Sequence, residues 1–383
     1  MLKRIIPLIL ALMLCACACA ETTTNGEDPV MNRIIPTWDN VKPLGRTAQL
    51  EGALWMAFSG SGCEFTFHGA KAEITIAADT AHTSPDNRAR IAIYLDGQRV
   101  VDDMLDAPEK AYVVMDESVP RDAVIRVIKL SETAMSTCAV TQIAVDSAEG
   151  IRPTAQSSRY IEFIGDSITC GYGVDDEVAE HHFTTSTEDV TRAYAYRTAD
   201  ALGADYSMVS ISGYGIISGY TGDGETKIPA QTIPQYYDKL GFSYASFRGQ
   251  TPAGVEWAFP REPDLIVVNL GTNDDSYTGN HFDRQAEYRA QYVAFLKVIR
   301  QHNPNAKILC TLGIMGDRLC PSVQQAMLDY RAETGDTNVA CMRFSVQLPA
   351  DGYAADWHPT ALTHGKAADK LVQQIRNLMR WED

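Results

Sequence analysis

Positive charge is scarce in this chain: 33 lysines and arginines face 49 aspartates and glutamates, for a formal charge of −16. Nucleic-acid phosphates would be repelled, and an anionic membrane surface has nothing to attract, so no nucleic-acid partner is expected and a neutral or weakly basic one is easier to accept. Beyond the first twenty residues cysteines are few and lack paired spacing. Cys63, Cys138, Cys170, Cys310, Cys320 and Cys341 are scattered singly, which is not the arrangement of a zinc site, and a chain of this size does not depend on disulfide staples. Buried free thiols are the expectation, with a Cys310–Cys320 bridge across one loop left open. The adjacent His181 and His182 have no carboxylate or cysteine spacing beside them, so neither a metal nor another cofactor is expected. Internal repeats and low-complexity tracts are also missing.

The apolar run Ile5 to Leu14, behind Lys3 and Arg4, is too short to span a bilayer. With the small residues after it, it reads as an export signal over residues 1–20. Cleavage after Ala18-Cys19-Ala20 is one reading; in the other, Leu14-Cys15-Ala16-Cys17 resembles a bacterial lipobox with Cys17 as a lipid anchor. Both predict a secreted or cell-surface protein. Residues 21–45 read as a flexible segment.

The remaining length suggests two domains. Residues 46–150 hold seven or eight short β-prone runs, among them Cys63 to Phe67, Ala72 to Ile76, Ala111 to Met115 and Val124 to Leu130. Gly, Asp, Pro or Ser separates most of them and no helix-period segment intervenes, which predicts an all-β sandwich, a jelly roll. Residues 151–158 read as a linker. In residues 159–383 strands and helices alternate, with strands expected at 159–164, 205–210, 264–270, 307–311 and 339–344 and helices at 193–202, 282–302, 322–334 and 364–381. That rhythm makes a five-stranded parallel sheet covered on both faces. Residues 221–260 form a long polar and aromatic insertion with no assignable element.

Four patches fall where strands should end: Gly165-Asp166-Ser167, Ile211-Ser212-Gly213-Tyr214-Gly215, Gly271-Thr272-Asn273-Asp274, and Asp356-Trp357-His358-Pro359-Thr360 before the last helix. Together they offer a hydroxyl nucleophile, a glycine N–H, an amide donor and an imidazole base, the set that ester hydrolysis requires. His358 would be the base, and Asp356, two residues before it, could orient the ring through Nδ1. Each patch also has a plainer reading: Ser167 as a helix cap, Asn273 and Asp274 as an Asx turn. Tyr214 is read as a cleft wall for a sugar ring in preference to ordinary packing, Trp257 is open between the same two roles, and His364 reads as a surface residue.

In this order the four patches resemble the blocks of the SGNH (GDSL-type) hydrolases. The resemblance implies a flavodoxin-like α/β/α domain, Ser167 as nucleophile, His358 as base, and an oxyanion hole made by the Ser167 N–H, the Gly213 N–H and the Asn273 side chain. The β-domain in front, with Gly60 to Phe65, Tyr94-Leu95-Asp96-Gly97 and Lys129-Leu130-Ser131-Glu132, is similar to that of carbohydrate esterase family two. Members of that family remove acetyl groups from plant cell-wall polysaccharides, and an aromatic residue before their histidine lines the substrate site, as Trp357 would here. Acetylated xylan- or mannan-type polysaccharides or oligosaccharides are therefore the expected partners. One departure concerns the acid, which many relatives place three residues before the histidine, while some use a serine–histidine dyad with a backbone carbonyl. A lipase or thioesterase, or a glycan-binding protein without turnover, are the competing functions.

Overall fold

A computed structural model describes residues 30–382. The export signal, Cys17 and most of the expected flexible segment's first ten residues lie outside the described residues.

The N-terminal part is one curled antiparallel sheet. Its strands among the described residues are β1 (Asn32–Ile34), β2 (Lys42–Leu44), β3 (Thr47–Leu50), β4 (Ala53–Met56), β5 (Gly62–Ala78), β6 (Arg90–Leu95), β7 (Gln98–Met104), β8 (Glu109–Lys129), β9 (Cys138–Val145) and β10 (Arg152–Pro153). They run in the order β3-β4-β9-β5-β8-β6-β7, with β1 on β9 and both β2 and β10 on β5. The sequence reading split β5 and β8 into two strands each; they are continuous. Their ladder is interrupted by register shifts between Gly69 and Lys71 and between Ala72 and Glu73, and such bulges bend a strand instead of ending it. Curling brings Phe65, Ile74, Ile91, Ile125 and Val140 into one buried core.

Two boundaries move. Residues expected to be flexible or linking supply β1, β2 and β10, each only two or three residues long and too short to show periodicity. Pairing on longer strands orders them, and Pro43 and Pro153, which cannot donate to a ladder, are tolerated because these strands are short edges.

The second part is a parallel sheet of β11 (Tyr160–Gly165), β12 (Asp205–Ser210), β13 (Leu265–Asn269), β14 (Lys307–Ile314) and β15 (Val339–Val346), in the order β12-β11-β13-β14-β15. Successive side chains point to opposite faces. Ile266 and Val268 join the core under α4 (Phe282–His302) and α5 (Cys320–Thr334), while Leu265 and Val267 join the one under α2 (Tyr194–Ala201) and α6 (Ala361–Met379). This is the flavodoxin-like α/β/α layering. Strand order reverses between β11 and β13, and in open α/β sheets the crevice at that reversal, beyond the carboxyl ends, holds the ligand.

Residues 221–260 stitch the two parts together. The Tyr244 N–H donates to the Ala134 carbonyl at 2.9 Å and the Thr133 hydroxyl to the Phe242 carbonyl at 2.8 Å, while Trp55 packs on Phe247 with ring centroids 5.8 Å apart. Arg46, fully buried, donates to the Tyr237 and Lys239 carbonyls and reaches Glu162 of β11 at 3.2 Å. Its guanidinium also lies 5.3 Å from the Trp257 ring centroid, which settles Trp257 as packing at this seam.

Candidate active site

β11 ends at Gly165, where a side chain could not fit: a Cβ would lie 2.0 Å from Thr169 Oγ1. This close approach lets α1 (Ser167–Cys170) begin at once, capped by the Asp166 carboxylate, which accepts the Ile168 N–H at 3.1 Å. The cap is thus Asp166 and not the Ser167 hydroxyl.

Ser167 Oγ lies 2.9 Å from His358 Nε2, and His358 Nδ1 lies 3.1 Å from the Asp356 backbone carbonyl. A carbonyl only accepts, so the hydrogen sits on Nδ1 and the Nε2 lone pair faces the serine. Burial pushes the imidazole pKa down to about 4, against which the Asp356 carbonyl and charge pull upward. The ring is still partly open to solvent along the cleft.

Here the expectation for Asp356 is corrected: its carboxylate does not reach Nδ1. Asp356 and Trp357 have φ of 50° and 64°, and this left-handed turn rolls the carbonyl under the ring and the side chain away from it. Such backbone costs about 1–3 kcal/mol per residue and persists only where the surroundings hold it. They do so here. The carboxylate accepts from the Tyr172 hydroxyl at 2.8 Å and the Phe183 N–H at 2.9 Å, with His182 Nδ1 at 3.2 Å. Burial alone would raise its pKa, but these donors outweigh it and hold the carboxyl below the usual range.

Two rings brace the histidine that sequence reasoning missed. Tyr172 stacks on His358 at 4.0 Å and Phe183 stacks on Tyr172 at 3.8 Å. Tyr172 had a signal, since it stands between two glycines just after the nucleophile; Phe183 had none.

Opposite, Asn273 is the second residue of α3 (Thr272–Thr278). Its Nδ2 donates to the Tyr214 carbonyl at 2.9 Å and leans on Asp166 Oδ2 at 3.3 Å. Burial, with the charge of Asp274 adding to it, raises the Asp166 carboxyl to about 7. Gly213 has φ of 80°, a conformation that glycine adopts without strain. Downstream, Asp274 accepts the N–H groups of Ile216, Ile217 and Ser218 and so fixes the loop after Gly213.

Ser167, Gly213, Asn273, His358 and Trp357 border one cavity of about 600 Å³. Tyr214 does not. It is 3% exposed and packed against Tyr236 and Phe242, so its expected sugar-contacting side chain is corrected to a core ring whose carbonyl orients Asn273. The exposed aromatic on that side is Tyr220, for which the sequence carried no signal. His364 is likewise corrected: it is buried, and its Nδ1 accepts the Tyr194 N–H at 3.1 Å. All six described cysteines are free thiols, Cys310 and Cys320 included. Among the described residues no group of three or more His, Cys, Asp or Glu could hold a metal ion.

With this geometry in place, comparison with known proteins defines the class. Residues 163–366 match the GDSL-like lipase/acylhydrolase family and residues 44–154 the carbohydrate esterase 2 N-terminal domain. The chain belongs to the GDSL-like lipase/acylhydrolase family, in the form headed by a carbohydrate esterase 2 domain. It is 29% identical over 331 residues to the cellulase/esterase CelE of Acetivibrio thermocellus, covering 85% of this chain but only 38% of that relative. It is 28% identical to an acetylxylan esterase / glucomannan deacetylase of Cellvibrio japonicus, covering 77% of this chain and 75% of the relative. In fold it is similar to an acetyl xylan esterase from the rumen bacterium Butyrivibrio proteoclasticus, with a TM-score of 0.83 at 24% identity over 92% of this chain and 100% of that one. A family two carbohydrate esterase from Clostridium thermocellum, solved in complex with cellohexaose, has a TM-score of 0.75 at 26% identity over 89% of this chain and 100% of that one.

Proposed function

We propose that this chain is an exported carbohydrate esterase that removes O-acetyl groups from plant cell-wall polysaccharides of the xylan or mannan type, or from their oligosaccharides. The observation that carries the reading is the 2.9 Å contact between Ser167 Oγ and His358 Nε2, in a cavity shared with Asn273 and Gly213. The names of the relatives support the acetyl and carbohydrate parts. Export rests on residues 1–20, and anchoring through Cys17 rests on the lipobox-like residues.

In the first half-reaction His358 Nε2 takes the Ser167 proton as Oγ bonds to the acetyl carbonyl carbon. The carbonyl oxygen becomes an oxyanion, met by the Ser167 and Gly213 N–H groups and by one Asn273 Nδ2 hydrogen, which leaves its long 3.3 Å contact with Asp166 while the other stays on the Tyr214 carbonyl. His358 then gives its proton to the departing sugar oxygen, leaving acetyl-Ser167. Water, deprotonated by the same Nε2, attacks the acetyl carbon; collapse of the second oxyanion releases acetate and returns the proton to Oγ. The Asp356 carbonyl holds Nδ1–H throughout, so the machinery is a dyad with a backbone orienter.

The test is acetate release from acetylated xylan and glucomannan, compared with hydrolysis of an activated acetyl ester and its octanoyl counterpart. The acetyl compounds should be turned over and the octanoyl ester hardly at all. Preference for the long chain would favour a lipase or thioesterase, and binding without turnover a glycan-binding protein.

A further inference from the structure

Between the β-domain and the catalytic domain lies a group of charged side chains that the hydrolytic residues do not use. Lys129 and Glu132 belong to the end of β8 and the loop after it, and Glu188 to the catalytic domain just before the turn at Val190–Arg192. All three are fully buried. Buried charges are costly unless paired and hydrogen-bonded, so their partners show what holds them there.

Lys129 Nζ donates to the Ser131 and Glu132 carbonyls at 2.6 and 2.8 Å. The Glu132 N–H donates to the Glu188 carboxylate at 2.7 Å. The Glu132 carboxylate turns the other way and accepts the Ser212 N–H at 3.0 Å. Ser212 immediately precedes Gly213. One residue of the β-domain is therefore gripped by the catalytic domain through its amide, and grips the turn at the oxyanion site through its side chain. The remaining oxygens, Glu132 Oε1 and Glu188 Oε1, have no hydrogen-bond partner, and burial pushes both carboxyls up.

The loop has a carboxylate at each end. Asp274, from the catalytic domain, binds the N–H groups of residues 216–218; Glu132, from the other domain, binds that of Ser212. A glycine at φ of 80° between them has wide backbone freedom, which two fixed ends remove.

We propose that Glu132 is a positioning residue of the esterase site: through it the β-domain fixes the Ser212–Gly213 turn so that the Gly213 N–H faces the oxyanion. The proposal rests on the esterase reading above. It makes the β-domain part of the catalytic apparatus, beyond any role in binding polysaccharide.

The experiment compares Glu132→Gln, which keeps an oxygen acceptor, with Glu132→Met, which keeps the volume and removes it. On a small acetyl ester Glu132→Gln should stay within about threefold of wild type, while Glu132→Met should lose about 10–100-fold in kcat, the scale of a misplaced catalytic group, at unchanged KM. Inhibition by phenylboronic acid, whose tetrahedral adduct on Ser167 places an oxygen at the oxyanion site, should weaken by the same factor. Wild-type kcat in Glu132→Met, equal losses in both variants, or a loss carried by KM alone overturns the proposal. Should Glu132→Met fail to fold, amide exchange at Ser212 decides: slow exchange in the wild type and Glu132→Gln supports the anchor, and fast exchange in the wild type overturns it. A wild type that is inactive on acetyl esters would sink the esterase reading instead, and Ser212 exchange would still judge the anchor.

Discussion

On one side of the cleft Ser167, Gly213 and Asn273 each stand within four residues of the end of a parallel strand, β11, β12 or β13. On the other side His358 is carried by the stretch between β15 and α6, where a left-handed turn, a carboxylate with three donors and two stacked rings fix one imidazole. The first wall borrows its precision from the sheet. The second must create its own, and does so with contacts between residues more than 170 positions apart in sequence. If this contrast is right, changes on the strand-end wall should remove chemistry outright, and changes on the loop wall should loosen it by degrees.

The largest effect is expected at Ser167. Ser167→Ala should lower kcat on an activated acetyl ester by about 10⁴–10⁶-fold, as loss of a serine nucleophile does, with a melting temperature close to wild type because Asp166 supplies the helix cap. Substantial turnover in that variant would remove the nucleophile assignment. Next comes Asn273→Ala, expected to lose about 10²–10³ in kcat, the usual cost of one oxyanion donor. KM should hardly move, because the charge develops only in the transition state. A defect in KM alone would place Asn273 on the bound sugar instead.

The legibility of the sequence follows the same division. Strand ends are announced locally, by β-prone runs stopping at Gly-Asp-Ser or Gly-Thr-Asn-Asp, so the placing of Ser167 and Asn273 at strand ends and the positions of the parallel strands along the chain could be read in advance. Helix α4 was placed to the residue, as a long segment uninterrupted by Gly or Pro. Asp356 was misjudged because nearness in sequence was taken for contact. Two consecutive residues with positive φ reversed the geometry, and nothing in Asp-Trp-His-Pro announces that conformation. Tyr214 failed differently: an aromatic beside a motif glycine was given to the cleft, whereas Tyr236 and Phe242 from the unassigned insertion claim it for the core. In the β-domain, alternation located the strands but not the bulges that join them.

On the loop wall, Asp356→Asn should cost less than about tenfold in kcat, because the orienter of Nδ1 is the backbone carbonyl. A side-chain carboxylate in that role would make the loss on the order of 10⁴, so one variant separates the two. The base itself can be read from pH. A histidine whose pKa is depressed remains neutral, and competent as a base, to lower pH than usual. The acid limb of kcat/KM, which reports the free enzyme, is therefore expected between pH 4, toward which burial drives His358, and the ordinary 6.5. A limb above 6.5 would mean that an ionised group stabilises the imidazolium directly and would restore the carboxylate to the mechanism.

The smallest effect separates ring from turn. Trp357 is 54% exposed beside the cavity, its ring meets only Tyr353 at 5.4 Å between centroids among the described ring pairs, and its carbonyl accepts Gln347 Nε2 at 3.0 Å, so the backbone is tied while the exposed part of the indole can lie against a sugar. Alanine has a Cβ and meets the same left-handed penalty at φ of 64° that tryptophan does, so Trp357→Ala removes the ring without relaxing the turn; glycine would change both. An aromatic contact of this kind contributes about 0.5–1.5 kcal/mol, which corresponds to roughly 2–12-fold in kcat/KM on acetylated polysaccharide. The small activated ester, with no sugar ring to stack, should be hydrolysed at the wild-type rate. Equal losses on both substrates would show that the indole holds the turn rather than the sugar, and would extend the bracing of His358 from Tyr172 and Phe183 to a third ring.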